Sequence, residues 1–356
     1  MNLRNKNLDE WLLAQKPADF PEQRDYPAQF KALADYLNSN VHPQVTAGSM
    51  VRDGGYLTDH GPKHIRTLIQ RISQIVSFEA CQLTPYEVFF LLVSAHFHDV
   101  GNIFGRDQHE AKSREVMKLS GLQVWLDSVE RRYIRDIAQA HGGADKDKLR
   151  TWAESDKIKN QTVRVRLLAA LLKFSDELAE DSERAARFSL AIGILPPESE
   201  IYHVYAKTLQ SVYVDHKAHE IAFSYELTES EAKKTFPSKE GTGRLLLDYI
   251  LERSLKAHCE RSYCARYLRP TIYIDQISVT IKIVSDDGYD IWASFGYRLS
   301  DVGYPSIQPE GIYELCPELT NPIAITQWND RGRVTGASIK SYLNQNSVSA
   351  EPVHGV

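Results

Sequence analysis

Apolar residues in the first half of the chain recur at three- and four-residue steps, and in the second half at every other position. Phe30, Leu33, Ala34 and Leu37 mark one amphipathic helix. After a glycine-broken stretch from Asp53, the positions Ile65, Leu68, Ile69, Ile72, Ile75 and Val76 mark a second. It begins near Pro62 and carries His64 in its first turn. From Tyr86 to Val93 the chain is hydrophobic on every face, the signature of a helix buried all round. Its start is a capping box at Thr84-Pro85-Tyr86-Glu87, and Gly101 signals its end beyond His98-Asp99.

Two further boxes follow. Asp107-Gln108-His109-Glu110 sets His109 in the first turn of a third helix, and Asp127-Ser128-Val129-Glu130 opens a fourth. The face Val129, Tyr133, Ile137, His141 of that fourth helix repeats every four residues and places His141 in its last turn, before Gly142-Gly143. The Lys- and Asp-rich run from Asp145 to Asn160 lacks an apolar stripe and reads as a solvated loop or surface helix. Val163 to Leu178 is again apolar nearly all round, with Asp176 inside it. Beyond about residue 190 the period changes to two: Ile221, Phe223, Tyr225 and Leu227 alternate, then Ile277 to Ile283, then Ile291 to Leu299, with a helical stretch from Gly243 to Tyr267 between the first two.

This pattern predicts a mainly α fold, a helical bundle followed by a smaller α+β domain. The expected division is an N-terminal helical extension (1–50), the bundle (51–195), the α+β domain (196–340) and a frayed tail (341–356). The composition, 42% hydrophobic and 25% charged, is that of an ordinary globular protein. A net charge of −5 gives no blanket grip on nucleic acid, so an anion must be held by local cations or metal. Four cysteines without paired short spacing read as free thiols, and no run is long and apolar enough for a membrane span. The expectation is a cytoplasmic protein without membrane contact.

The chemistry gathers on helix ends. A polar side chain where a core helix runs out costs free energy unless something pairs it, and His64, His98, Asp99 and Asp176 all stand in such places, with His109 and His141 as an outer pair. Imidazoles and carboxylates without thiolate suit one or two divalent ions: Mn, Fe, Ni, Co, Zn or Mg. His96 reads as a satisfied core histidine. His216, His219, Cys259 and Cys264 lack the spacing of a zinc finger or ribbon, and the aromatic residues of the C-terminal strands read as sheet packing.

The order His64-Ile65, then His98-Asp99-Val100-Gly101, then Leu172-Lys173-Phe174-Ser175-Asp176-Glu177-Leu178 resembles the HD superfamily of metal-dependent phosphohydrolases over roughly Gly54 to Arg187. The segment from Phe174 to Arg184 is similar to a variant found in HD domains of bacterial stress and conflict proteins, which often carry an α+β extension. By that resemblance His64, His98, Asp99 and Asp176 are the four ligands of the defining metal. His109 and His141 match positions that bind a second metal or the phosphate; in cationic form their imidazoles would neutralise charge developing on the phosphate and protonate the leaving oxygen. Arg106, Lys63 and Lys173, close in sequence to the ligands, are candidate phosphate clamps. The resemblance implies hydrolysis of a nucleotide phosphoester or phosphoanhydride by metal-activated water. A nuclease acting on DNA or RNA is the enzymatic alternative; a non-catalytic metal- or nucleotide-binding sensor is the other. The C-terminal domain is the expected platform for self-association or a protein partner.

Overall fold

The structure is a computed structural model that describes residues 7–51, 57–77, 82–105, 109–121, 124, 126–142, 147–237, 241–301, 311–320 and 332–347. It divides into two compact units. The first comprises Met1–Glu180 together with Glu260–Tyr273; the second comprises Asp181–Cys259 and Ile274–Val356. The first unit therefore ends earlier than the sequence pattern suggests and takes in a later segment.

The described helices of the first unit are α1 (Leu8–Leu13), α2 (Tyr26–Asn40), α3 (His42–Val51), α4 (Pro62–Val76), α5 (Pro85–Phe97), α6 (His109–Leu119), α7 (Ser128–Gln139) and α8 (Val165–Glu177). At the centre is α5, buried from Tyr86 to Phe97 and packed against α2, α4, α7 and α8. Its capping box is formed as the sequence implies. Thr84 Oγ1 accepts from the Glu87 amide, and the Glu87 carboxylate accepts from the Thr84 amide. Glu87 is itself buried and gripped by the Arg164 guanidinium at 2.7 Å, which answers the cost of placing a carboxylate in the core.

Elements of the first unit differ from the sequence reading in two places. The buried face of α7 is Glu130, Ile134, Ile137 and Ala138, while Val129 is exposed. Glu130 outcompetes the valine because its carboxylate accepts hydrogen bonds from Tyr26 Oη (2.5 Å) and Tyr86 Oη (2.7 Å). The Lys/Asp-rich run contains a small hairpin, β1 (Asp156–Ile158) and β2 (Gln161–Val163), whose inward residues Ile158 and Val163 are too few to make a stripe. Asp107 and Gln108, which complete the box proposed before α6, lie outside the described residues, as does Arg106.

In the second unit a four-stranded sheet runs β3 (Leu209–Asp215), β4 (Glu220–Thr228), β7 (Gln276–Val284), β8 (Ile291–Ser300). The β4/β7 pair is parallel and the outer pairs antiparallel. The crossover between β4 and β7 contains the short pair β5 (Thr235–Phe236) and β6 (Arg244–Leu245), and the long helix Leu246–Leu268, whose last turns belong to the first unit. The register Tyr225↔Ile281↔Phe295 sets one row of buried side chains across three strands. The sheet's aromatic residues serve that core: Tyr225 Oη meets Tyr205 Oη at 3.0 Å, and Tyr297 Oη meets Ser254 Oγ at 2.7 Å. The helix Gly336–Ser347 buries Ile339 and Leu343, so the first residues of the expected tail are helical.

Candidate metal centre

Each potential ligand is delivered by an element with a local reason to be there. Proline at the first position of α4 starts the helix without losing a hydrogen bond, and His64 follows two residues later. At the other end of the core, α5 runs out at His98, and a tight 3-10 turn over Val100–Phe104 carries the chain away after Asp99. Gly101 belongs to that turn, and α6 begins so close to it that a methyl group on Gly101 would overlap the His109 carbonyl. The glycine is there for close approach, which holds His109 against Asp99. His141 follows the end of α7, and Asp176 sits in the last turn of α8.

The side chains converge into two groups that share one residue. The first is His64, His98, Asp99 and Asp176; the second is Asp99, His109 and His141. In the first group the His64 and His98 Nε2 atoms are 3.1 Å apart, and Asp176 Oδ1 lies 3.2 Å from one and 3.3 Å from the other. Asp99 Oδ2 is 3.4 Å from His98 Nε2 and 3.7 Å from His64 Nε2. The other oxygen of the same carboxylate, Oδ1, faces the second group, 3.0 Å from His109 Nε2 and 3.5 Å from His141 Nε2.

These spacings and the donor chemistry fit metal ions. Donor atoms bound to one ion at about 2.1 Å stand about 3.0 Å apart at a right angle and about 3.4 Å apart at the tetrahedral angle. His98 Nδ1 donates to the Ala95 carbonyl (2.8 Å) and His141 Nδ1 to the Ala138 carbonyl (2.6 Å). A neutral imidazole whose Nδ1 carries the hydrogen presents a bare lone pair at Nε2, here directed at carboxylate oxygens that also carry lone pairs. Only a cation between them resolves that repulsion. In the metal-free chain a proton takes the part. Burial lowers the His98 pKa, yet the Asp99 and Asp176 carboxylates outweigh it and carry it up to about 10. Burial would raise the Asp99 and Asp176 carboxyls, but the facing imidazoles, His98 first, hold both well below the usual carboxylate range.

The other predicted site residues fall elsewhere. Lys173 points its ammonium at the His141 carbonyl (3.1 Å) and at Glu260 (3.2 Å), so it braces a ligand-bearing turn. Lys63 is exposed on the first turn of α4. His96 is buried beneath α3, its Nδ1 3.1 Å from His42 Nε2, and takes no part in either group. Burial first, and neighbouring imidazoles second, push His96 down to about 4 and His42 to about 2, so both stay neutral. Among the described residues His216, His219, Cys259 and Cys264 form no metal-compatible group.

Two supporting residues escape the sequence pattern. Lys148 donates to the Gln139 and Gly142 carbonyls, so with Lys173 it places a second cation at the carboxyl end of α7, where the helix dipole favours one. Glu110 faces His109 Nδ1 at 3.5 Å, the position of an outer-shell carboxylate. A Glu immediately after a ligand histidine is a signal the sequence does carry; Lys148 lies in the run read as solvated.

Paired His/Asp groups that could hold metal ions, supplied by the ends of buried helices and joined through the Asp of a His-Asp dipeptide, define a domain of the HD class. A family model, HD-CE, matches residues 54–256, and the chain belongs to that family. The match continues past α8 through β3 and β4 into the long helix, further than the resemblance visible in the motifs. No curated protein and no solved structure matches the chain. Among the described residues no single helix is long and apolar enough to cross a membrane.

Proposed function

We propose that the chain is a metal-dependent phosphohydrolase acting on a nucleotide phosphoester or phosphoanhydride. The observation that carries this reading is the split Asp99 carboxylate, with one oxygen turned to each group of ligands. His64, His98, Asp99 and Asp176 would hold one divalent ion, and Asp99, His109 and His141 a second. Such ions, when bound, supply Lewis acidity toward a phosphoryl oxygen and bring the pKa of water down to about 7. The chain supplies the rest. Backbone carbonyls fix the rings of His98 and His141, Glu110 faces the outer nitrogen of His109, and Lys148 and Lys173 clamp the turn that carries His141. Burial of His64, His98, Asp99 and His109 limits water at the ligands, which strengthens every charge interaction there.

The test is metal analysis of chelator-free protein beside turnover of a nucleotide panel, with the released phosphate, pyrophosphate or triphosphate identified. Turnover that chelator abolishes and added divalent metal restores is the expected result. Protein that holds its metal and turns over no nucleotide would overturn this hydrolase, and cleavage of DNA or RNA in a parallel assay would then separate the nuclease from the sensor.

A further inference from the structure

Outside the metal centre the first unit carries a second feature that its net acidity hides. A cleft of about 570 Å³ opens between α6 and α7, lined by Arg114 and Lys118 from one helix and by Arg131, Arg132 and Arg135 from the other, over a floor that includes Met117. Five cations meet there in a chain whose net charge is −5. Three are partly answered: Lys118 pairs with Glu115 at 2.9 Å, Arg135 with Asp136 at 2.5 Å, and Asp156 faces Arg132. Arg131 donates to the Leu126 carbonyl, and the Arg132 guanidinium lies 5.5 Å from the Tyr133 ring. Arg114 and Arg131 form no ion pair among the described residues.

We propose that this cleft binds a single strand of nucleic acid through its phosphates. The cations form two rows at i, i+4 spacing, Arg114 with Lys118 and Arg131 with Arg135, so each row places charges about 6 Å apart along its helix. That is a track for a repeating polyanion, not a socket for one phosphate. A cleft of about 570 Å³ between two packed helices takes a short stretch of one strand, and a duplex is too wide to enter it. Met117 in the floor and the aliphatic stems of the arginines offer the apolar surface that unstacked bases cover and paired bases do not. The lining of the cleft includes none of the residues of the two His/Asp groups, so strand binding needs no turnover at the metal centre.

The experiment is fluorescence anisotropy of the full chain with labelled DNA and RNA single strands of about 15 nucleotides. Five cations against three carboxylates, Asp156 facing Arg132 being the third, leave two to neutralise phosphates, so the affinity should fall about sevenfold between roughly 50 and 200 mM salt. The double variant Arg114→Glu/Arg132→Glu, at two exposed positions, should weaken binding by at least about tenfold and flatten the salt dependence. The same charge change made at Lys217 and Lys282, both exposed in the second unit, should leave binding within about twofold. Asp99→Asn should keep strand binding whether or not it keeps metal, which separates this proposal from the hydrolase reading. Thermal melts establish that each variant is folded. Absence of binding at the lowest salt, equal binding by the groove variant, or equal competition by a duplex of the same length would each overturn it.

Discussion

Gly101→Ala isolates the second group of ligands from the first. The added methyl has no room, because the His109 carbonyl and carbonyl carbon and the Ser113 amide nitrogen already fill the space it would take. Those atoms are backbone of the first turns of α6, which cannot swing aside as a flexible side chain would. Either α6 retreats with His109, or the 3-10 turn retreats with Gly101. Both moves pull His109 from Asp99 Oδ1, now 3.0 Å from its Nε2. His64, His98 and Asp176 come from α4, α5 and α8 and are not attached to that contact. Forcing a methyl into a packed interior costs about 1–3 kcal/mol. Alanine also stiffens the unfolded chain, which returns about 0.4–1 kcal/mol. The variant should therefore be folded and about 1–2 kcal/mol less stable. Metal analysis after equilibration with excess divalent ion and gel filtration should find the first ion retained and the second lost. Retention of both ions at unchanged affinity would refute the reasoning, since it would mean that α6 is not held in place by the bare Cα of residue 101.

Asp99→Asn keeps the shape of the shared side chain and removes its charge, so metal content should fall at both groups, whereas His96→Gln should leave it intact; elemental analysis of the two proteins decides. Lys173→Met removes the ammonium that braces the His141 carbonyl and should weaken binding of the second ion by about 10- to 100-fold, read by competition with a chelating dye. The neutral His96 gives a pH signature with a definite sign. The folded chain holds it unprotonated down to about pH 4, while the unfolded chain takes up a proton below pH 6.5. Its contribution is intact above pH 6.5 and is lost as the pH falls toward 4, about 2 kcal/mol by pH 5. Denaturant melts should show His96→Gln losing less stability than the parent between pH 7 and 5, and equal losses would count against a neutral buried His96.

Most of the first unit was legible because its helices carry a strong period and explicit start signals. Pro62, the Thr84 box and the Asp127 box each mark an observed helix start. The residues of the two His/Asp groups stood out for a thermodynamic reason, since a His or Asp at the end of an all-apolar helix must have a partner. What stayed hidden depended on contacts distant in sequence. The true face of α7 is decided by Glu130 meeting two tyrosines from other helices, which no local period encodes. Strand β3 buries only Leu209, Val212 and Val214 among its residues, and its bulge at the start breaks the alternation that would have announced it. The roles of Lys148 and Lys173 rest on carbonyls several turns away. The basic cleft is spread over two helices, and a global charge count erases it.

The carboxylate of Asp99 has a further consequence, for how the centre would fill. An oxygen committed to one ion fixes the plane and the electron density of the oxygen offered to the other, so two ions cannot load as independent events. By thermodynamic reciprocity, whatever factor the first ion applies to the affinity of the second, the second applies to the first. The loading curve then departs from that of two separate sites, and the direction of the departure reports the balance at a single side chain. Prior alignment of the carboxylate favours the second ion, while the charge already spent on the first opposes it.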